Sequence, residues 1–183
     1  QAVKAAGDNP EAHINLLTQK LTFARYGSSE QLKEQIQSLE PEYLSLVERF
    51  SASAEAFAAA SSFYSAYCLF SGPRLGSTNL DKAIEAVEKA IELDEKNVAY
   101  AIHAANLYYR SYSFYGQKSQ IDKAIEIANG ALLLPDAQET PGPRQRANIN
   151  NKFILYAFLA NCYTDQILEP SGQATAEETQ SRL

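Results

Sequence analysis

The side chains best suited to metal or nucleophilic chemistry are sparse in this 183-residue chain: two histidines, His13 and His103, and two cysteines, Cys68 and Cys162. A metal site built from such groups needs them at short spacing, as in Cys-x2-Cys or His-x3-His. The four lie far apart in sequence and form no such pair. Each cysteine falls in an apolar stretch, where a thiol is expected to be buried and inert. Nucleophilic catalysis is no better served, because there is no G-x-S-x-G turn. The stretch Ser71-Gly72-Pro73-Arg74-Leu75-Gly76 lacks the G-x4-G-K-S/T spacing that cradles a phosphate. Carboxylates are numerous, yet Glu85, Glu88, Glu92, Asp94 and Glu95 read as a solvated helix face, with Glu85 and Lys89 an ordinary i,i+4 pair. These residues predict a non-enzyme with no catalytic residue, no metal and no cofactor.

Recognition chemistry is better represented. Tyr100, Tyr108, Tyr109, Tyr112, Phe114 and Tyr115 crowd one segment, with Asn106 and Arg110 among them. Aromatic and arginine side chains are the usual anchors of protein interfaces. An asparagine can hold a peptide backbone through its paired donor and acceptor. The net charge of -6 argues against a nucleic-acid partner, since phosphate neutralisation needs a basic excess. Two cysteines are too few for a disulfide scaffold. The longest uncharged stretch, residues 56–73, carries Ser61, Ser62, Ser65 and Ser71, and reads as a buried helix rather than a membrane span. No signal peptide is visible, and the chain begins at Gln1 without any Met, so a piece of a larger protein is expected. Nothing in the pattern assigns a compartment.

The elements that would position these residues are helices. Ala, Leu, Glu, Gln and Lys are abundant, and apolar residues recur at three and four. Asn9-Pro10 caps a helix that stops near Gly27. Ser28 and Gln31 form a capping box for a second, and Pro41 opens a third through about Phe50. Ser53 caps a fourth to about Phe70, and residues 71–78 read as a loop after the Gly72-Pro73 break. Asn79 caps the next, over residues 80–93, followed by a helix from Val98 to Tyr115 that stops at Gly116. Ser119 and Asp122 cap one that reaches Pro135, residues 135–143 are too rich in turn formers to be helical, and a long helix then runs to about Leu168. Thr175 and Glu178 form a last capping box.

An internal repeat runs through this pattern. Leu80-Asp81-Lys82-Ala83-Ile84-Glu85 reappears as Ile121-Asp122-Lys123-Ala124-Ile125-Glu126, an offset of 41 residues (124 minus 83). Small residues recur where helices must approach closely: Ala83 and Ala90, then Ala124 and Ala131. On these residues the chain resembles the tetratricopeptide repeat, whose pattern includes a Trp-Leu-Gly-Tyr first helix and an Ala-Phe-Ala second helix. Ala83, Val87 and Ala90 match the second helix, as do Ala124, Ala128 and Ala131. First-helix copies end on Tyr64, Tyr108 and Tyr163, with Phe57, Ala101 and Tyr156 in place of the signature Trp. The usual repeat is about 34 residues, and the surplus is assigned to hairpin loops around residues 72–78 and 111–118.

The resemblance implies an all-α fold: an α-solenoid of antiparallel helix pairs in a right-handed superhelix, with three to four repeats, the last incomplete. One domain over residues 1–183 is expected, with divergent helices at 9–50, the best repeats at 54–97 and 98–135, and a C-terminal incomplete repeat at 144–183. It also implies a concave face lined by the first helix of each pair. His103, Asn106, Tyr109, Arg110, Phe158, Asn161 and Asp165 fall on that face, as a ligand groove or as filler between helices. The first-helix positions Ala58, Ala59, Ile102, Ala157 and Phe158 lack the cations that clamp a chaperone's terminal carboxylate in this family. The implied function is a non-catalytic scaffold for a protein or peptide partner. The alternatives are a soluble appendage of a membrane-embedded cell-envelope enzyme of the glycan polymerase or ligase type, or a self-association module.

Overall fold

The computed structural model describes residues 9–24, 29–69, 72–138 and 150–168. Within them the chain is all-α: helices and turns, with no strand among the described residues. We number the helices α1 (Pro10–Ala24), α2 (Ser29–Arg49), α3 (Ala54–Cys68), α4 (Gly72–Leu93), α5 (Val98–Tyr115), α6 (Lys118–Ala131), the single turn α7 (Pro135–Gln138) and α8 (Asn151–Leu168). The substantial contacts join helices that are neighbours in sequence or two to three places apart, the most extensive being α3 against α4 and then α5 against α6. Among the described residues no helix is long and apolar enough to cross a membrane.

Helix ends follow local chemistry where a side chain can reach an orphan backbone group. Asn9 Oδ1 accepts from the Glu11 N–H at 2.9 Å. Ser53 Oγ accepts from the Ala56 N–H at 3.2 Å, and Asn97 Oδ1 from the Ala99 N–H at 3.1 Å. Gly116 closes α5 at φ 68°, a left-handed conformation that costs a residue with a Cβ about 1 kcal/mol or more, and its N–H bonds the Tyr112 carbonyl at 2.7 Å.

Some boundaries differ from the sequence expectation. Pro41 opens no helix; it lies inside α2. An interior proline removes one backbone bond at a cost of about 3 kcal/mol. The buried stripe Ile36, Leu39, Tyr43 and Leu46 runs through the site and outweighs it, while Pro41 itself faces solvent. Residues 72–78 are not a loop but the first two turns of α4, where Gly72-Pro73 stands at a helix start and the missing proline N–H is not needed. Asn79 is therefore no cap; it is buried within α4. The helix expected from Val98 to Tyr115 is found with those bounds as α5, so residues 111–115 are helix and not part of the hairpin loop expected around 111–118. Ser119 and Asp122 do not cap α6, which starts at Lys118 after Gln117 without a side-chain cap bond. Its last residue is Ala131 rather than one near Pro135, because a proline ring clashes with the carbonyl four residues back and disfavours helix at the residue before it. Pro135 instead starts the short α7. The stop at Gly27, the cap at Ser28, residues 139–149 and the Thr175–Glu178 box lie outside the described residues.

Two apolar cores result. The first joins α1 to α4 and takes Ala104 and Leu107 from α5. The second joins Val98, Ala101 and Ala105 of α5 to Ala128 and Ala131 of α6, Ala137 of α7, and Leu155 and Leu159 of α8. Helix α5 thus has one face in each core. Its neighbour α3 is covered on nearly every side, with Ala60, Phe63, Ala66 and Tyr67 all buried. The Tyr43 and Phe63 rings stack at 4.4 Å between centroids, joining α2 to α3. Each fully buried Leu, Ile or Val, such as Ile36, Leu80, Val87 and Ile121, contributes about 1.5–3 kcal/mol.

The α3–α4 seam is close-packed at Ala83, which has no exposed surface, whereas a Cβ on Gly76 would meet the Cys68 carbonyl oxygen at an ordinary contact distance of 3.4 Å. Ala83→Leu should therefore lower unfolding stability by about 1–3 kcal/mol through overpacking, whereas Ala99→Leu on the exposed face of α5 should change it by less than about 0.5 kcal/mol. Urea unfolding of the two variants checks this, and equal effects would refute the close seam.

Candidate functional site

The sixfold tyrosine and phenylalanine cluster maps onto α5, as its spacing required. With two faces of α5 committed to the two cores, the third is a half-open strip carrying Ile102, His103, Asn106, Tyr109 and Arg110. All seven residues singled out from the sequence lie on this strip or on α8 beside it, but they divide into three groups.

The first group ties α5 to α8. The Tyr109 hydroxyl donates to Asp165 Oδ2 at 2.5 Å, and its ring meets Phe158 edge-on at 5.7 Å between centroids. The bond to Asp165 pushes the Tyr109 phenol up, followed by burial and the carboxylate's charge. A hydrogen bond between a phenol and a carboxyl group is among the stronger side-chain interactions. The Ser113 hydroxyl also donates to the Tyr109 carbonyl at 3.0 Å.

The second group ties α5 to α3. Arg110 Nη1 donates to Ser65 Oγ at 2.8 Å and to the Ser65 carbonyl at 3.2 Å. His103 Nε2 lies 2.9 Å from Ser61 Oγ. Ser61 spends its own proton on the Ala83 carbonyl at 2.7 Å, so its oxygen is the acceptor and Nε2 of His103 carries the hydrogen. This serine–histidine pair cannot supply a nucleophile, since Ser61 has no exposed surface and its proton is committed. Burial depresses the His103 pKa, and the nearby Arg110 charge depresses it further.

The third group is exposed. Asn106 is exposed and donates to the Ile102 carbonyl of its own helix at 2.8 Å. Asn161 is exposed on α8. These two present amide chemistry to solvent.

Ser61 and Ser65 did not stand out from the sequence as site residues, although a signal was there. Serines in a helix otherwise built for burial must find partners, or each costs about 1–3 kcal/mol. The cleft of ≈ 270 Å³ between α1 and α2, lined by His13, Glu42, Arg49 and Phe50 among others, had no sequence signal, because its two walls lie far apart in the chain.

Both thiols are free and buried. Burial raises Cys68 against the opposing Arg110 charge, and burial and then Asp165 push Cys162 up to about 11. Neither is a poised thiolate. Among the described residues no three His, Cys, Asp or Glu side chains cluster to hold a metal ion. Lys89 bonds Glu92 three residues on at 2.6 Å, on an exposed face of α4 where such a pair is worth little.

Comparison with protein-family models found no match. Comparison with curated proteins found none either.

The depressed His103 pKa carries a signed pH dependence. The unfolded chain protonates this imidazole near its ordinary value of 6.5 and the folded chain does not. The stability linked to the neutral ring is therefore complete above that value and is lost as pH falls toward the depressed folded pKa. Thermal melts from pH 8 to 5 should show the wild type losing more Tm than His103→Gln, whose amide can still donate to Ser61. Parallel curves for the two proteins would refute the assignment.

Proposed function

We propose that this chain is a helical-repeat scaffold of the tetratricopeptide type, an α-solenoid that binds a protein or peptide partner along the strip of α5 between α3 and α8. The observation that carries the reading is the double burial of α5. Its third face stays half-open, and that face mixes aromatic, amide, imidazole and guanidinium groups.

The repeat part of the proposal draws on recurring contacts. The two best-matched blocks of sequence coincide with the pairs α3–α4 and α5–α6, which make the two most extensive helix contacts. The tyrosine at the matching position of each pair reaches back to a carboxylate of the preceding helix. Tyr64 donates to Glu40 of α2 at 3.3 Å, and Tyr108 to Glu88 of α4 at 2.6 Å. In both, burial and then the carboxylate raise the phenol pKa. Lys82 completes the first contact, 2.8 Å from Glu40 and 5.1 Å from the Tyr64 ring centroid.

The binding part follows from which side chains are spent. Tyr109, Arg110, His103 and Asp165 hold helices together, so they shape the strip. Asn106 and Asn161 are exposed and suited to grip a peptide backbone. An uncharged, extended or helical peptide segment is the ligand class this surface suits.

The discriminating variant is Asn106→Ala with Asn161→Ala, which leaves both helix ties intact. Proteins captured from source lysate by the wild type should bind this variant about 10- to 100-fold more weakly, the worth of two lost amide contacts. Tm should stay unchanged. Equal capture by both proteins would overturn the strip as the working surface.

A further inference from the structure

The pair α1–α2 is packed less extensively than α3–α4 or α5–α6. It leaves a cleft of ≈ 270 Å³ between its two helices. Each wall follows the period of one helix face: His13, Leu16 and Leu17 on α1, then Glu42, Ser45, Leu46 and Arg49 on α2. Leu17 and Leu46 are buried and give the cleft an apolar lining, which half-buried Leu16 extends. The small Ser45 brings too little volume to fill the space.

The two ends differ in chemistry. At one end the Phe50 ring has the His13 ring at 5.4 Å and the Arg49 guanidinium carbon at 5.3 Å from its centroid. The ring quadrupole attracts that cation and holds it at the cleft. Arg49 Nη1 lies 3.5 Å from His13 Nε2, at the outer limit of a hydrogen bond. A carboxylate is a stronger acceptor than an imidazole, and charge-assisted bonds close to about 2.7–2.9 Å. A guanidinium carries five N–H donors, so it can take such an acceptor without giving up those it has. At the other end Lys20 Nζ donates to both Glu42 oxygens. That pairing neutralises the carboxylate in the lining, which then does not repel an anion.

We infer that the α1–α2 cleft binds a small apolar monocarboxylate, with its carboxylate on Arg49 beside His13 and its hydrocarbon along Leu16, Leu17 and Leu46. The two ends are seven residues apart on both helices (20 minus 13; 49 minus 42). At about 1.5 Å per residue this is roughly 10 Å, the length of an extended chain of about eight carbons. The volume falls just under the range of about 300–1,000 Å³ that takes drug-sized ligands, so the occupant is small. The site uses no residue of the α5 strip.

Octanoate is the probe, with 1-octanol as its uncharged match. The chain has two histidines, so imidazole NMR signals read the cleft through His13 and the α5 strip through His103. Octanoate should shift the His13 signals saturably, with a Kd of about 0.1–1 mM, and leave those of His103 in place. 1-Octanol should bind about tenfold more weakly, and Arg49→Gln should weaken octanoate to the same level. Ser45→Phe, which fills the cleft, should abolish both. Arg49 and Ser45 are exposed, so the fold tolerates either change. Should Ser45→Phe nonetheless disturb the fold, Arg49→Gln decides alone. The absence of a saturable His13 shift would overturn the inference. So would octanoate binding that Arg49→Gln leaves unchanged, or His103 signals that move along the same curve as those of His13.

Discussion

The fold rests on burying α3 without stranding a hydroxyl. Ten of its fifteen residues are buried, two of them serines. A buried unsatisfied hydroxyl costs about 1–3 kcal/mol, a large share of the stability of a small domain. Ser61 resolves this by donating to the Ala83 carbonyl of α4 while accepting from His103 of α5. Ser65 resolves it by accepting from Arg110 of α5. Ser61 thereby pins both α4 and α5, and Ser65 pins α5 a second time. Small side chains, Ala60 and Ser61 on one helix and Ala83 on the other, permit the approach that makes the bonds possible. The polar and apolar requirements of this helix are met by one packing arrangement.

That arrangement places α5. Held to α3 by Arg110 and His103, it turns Ala104 and Leu107 into the first core, and the helical period then sends Val98, Ala101 and Ala105 toward α6. Tyr109 has one direction left, and it meets Asp165 and Phe158 of α8 there. The strip of α5 is held on one side by the tie to α3 and on the other by the tie to α8.

The sequence carried the all-α class and the helix starts at Pro10, Ala54 and Val98 because these are local. Asn9, Ser53 and Asn97 cap the helices they precede, and Gly116 ends α5. The boundaries it misplaced are those where a local signal competes with burial. Pro41 reads as a start, yet the buried stripe through α2 carries the helix past it. Gly72-Pro73 reads as a break, yet it stands where a helix begins. Asn79 has the composition of a cap and the position of a core residue.

The candidate site divides in the same way. Spacing put His103, Asn106, Tyr109 and Arg110 toward one side of α5 and Phe158, Asn161 and Asp165 toward one side of α8, because residues three, four and seven apart share a helix face, whereas a surface shared by the two helices was an expectation from the repeat resemblance alone. Which of them tie helices and which stay open was decided only by tertiary structure. Tyr109 and Asp165 are 56 residues apart and Arg110 and Ser65 are 45 apart, so no local pattern pairs them. The sequence by itself determined helices, their amphipathic faces and the repeat of small residues, all set within a few turns of chain. The pairing of buried polar groups was settled by tertiary structure, since a hydrogen bond depends on tenths of an ångström that only the packed helices fix.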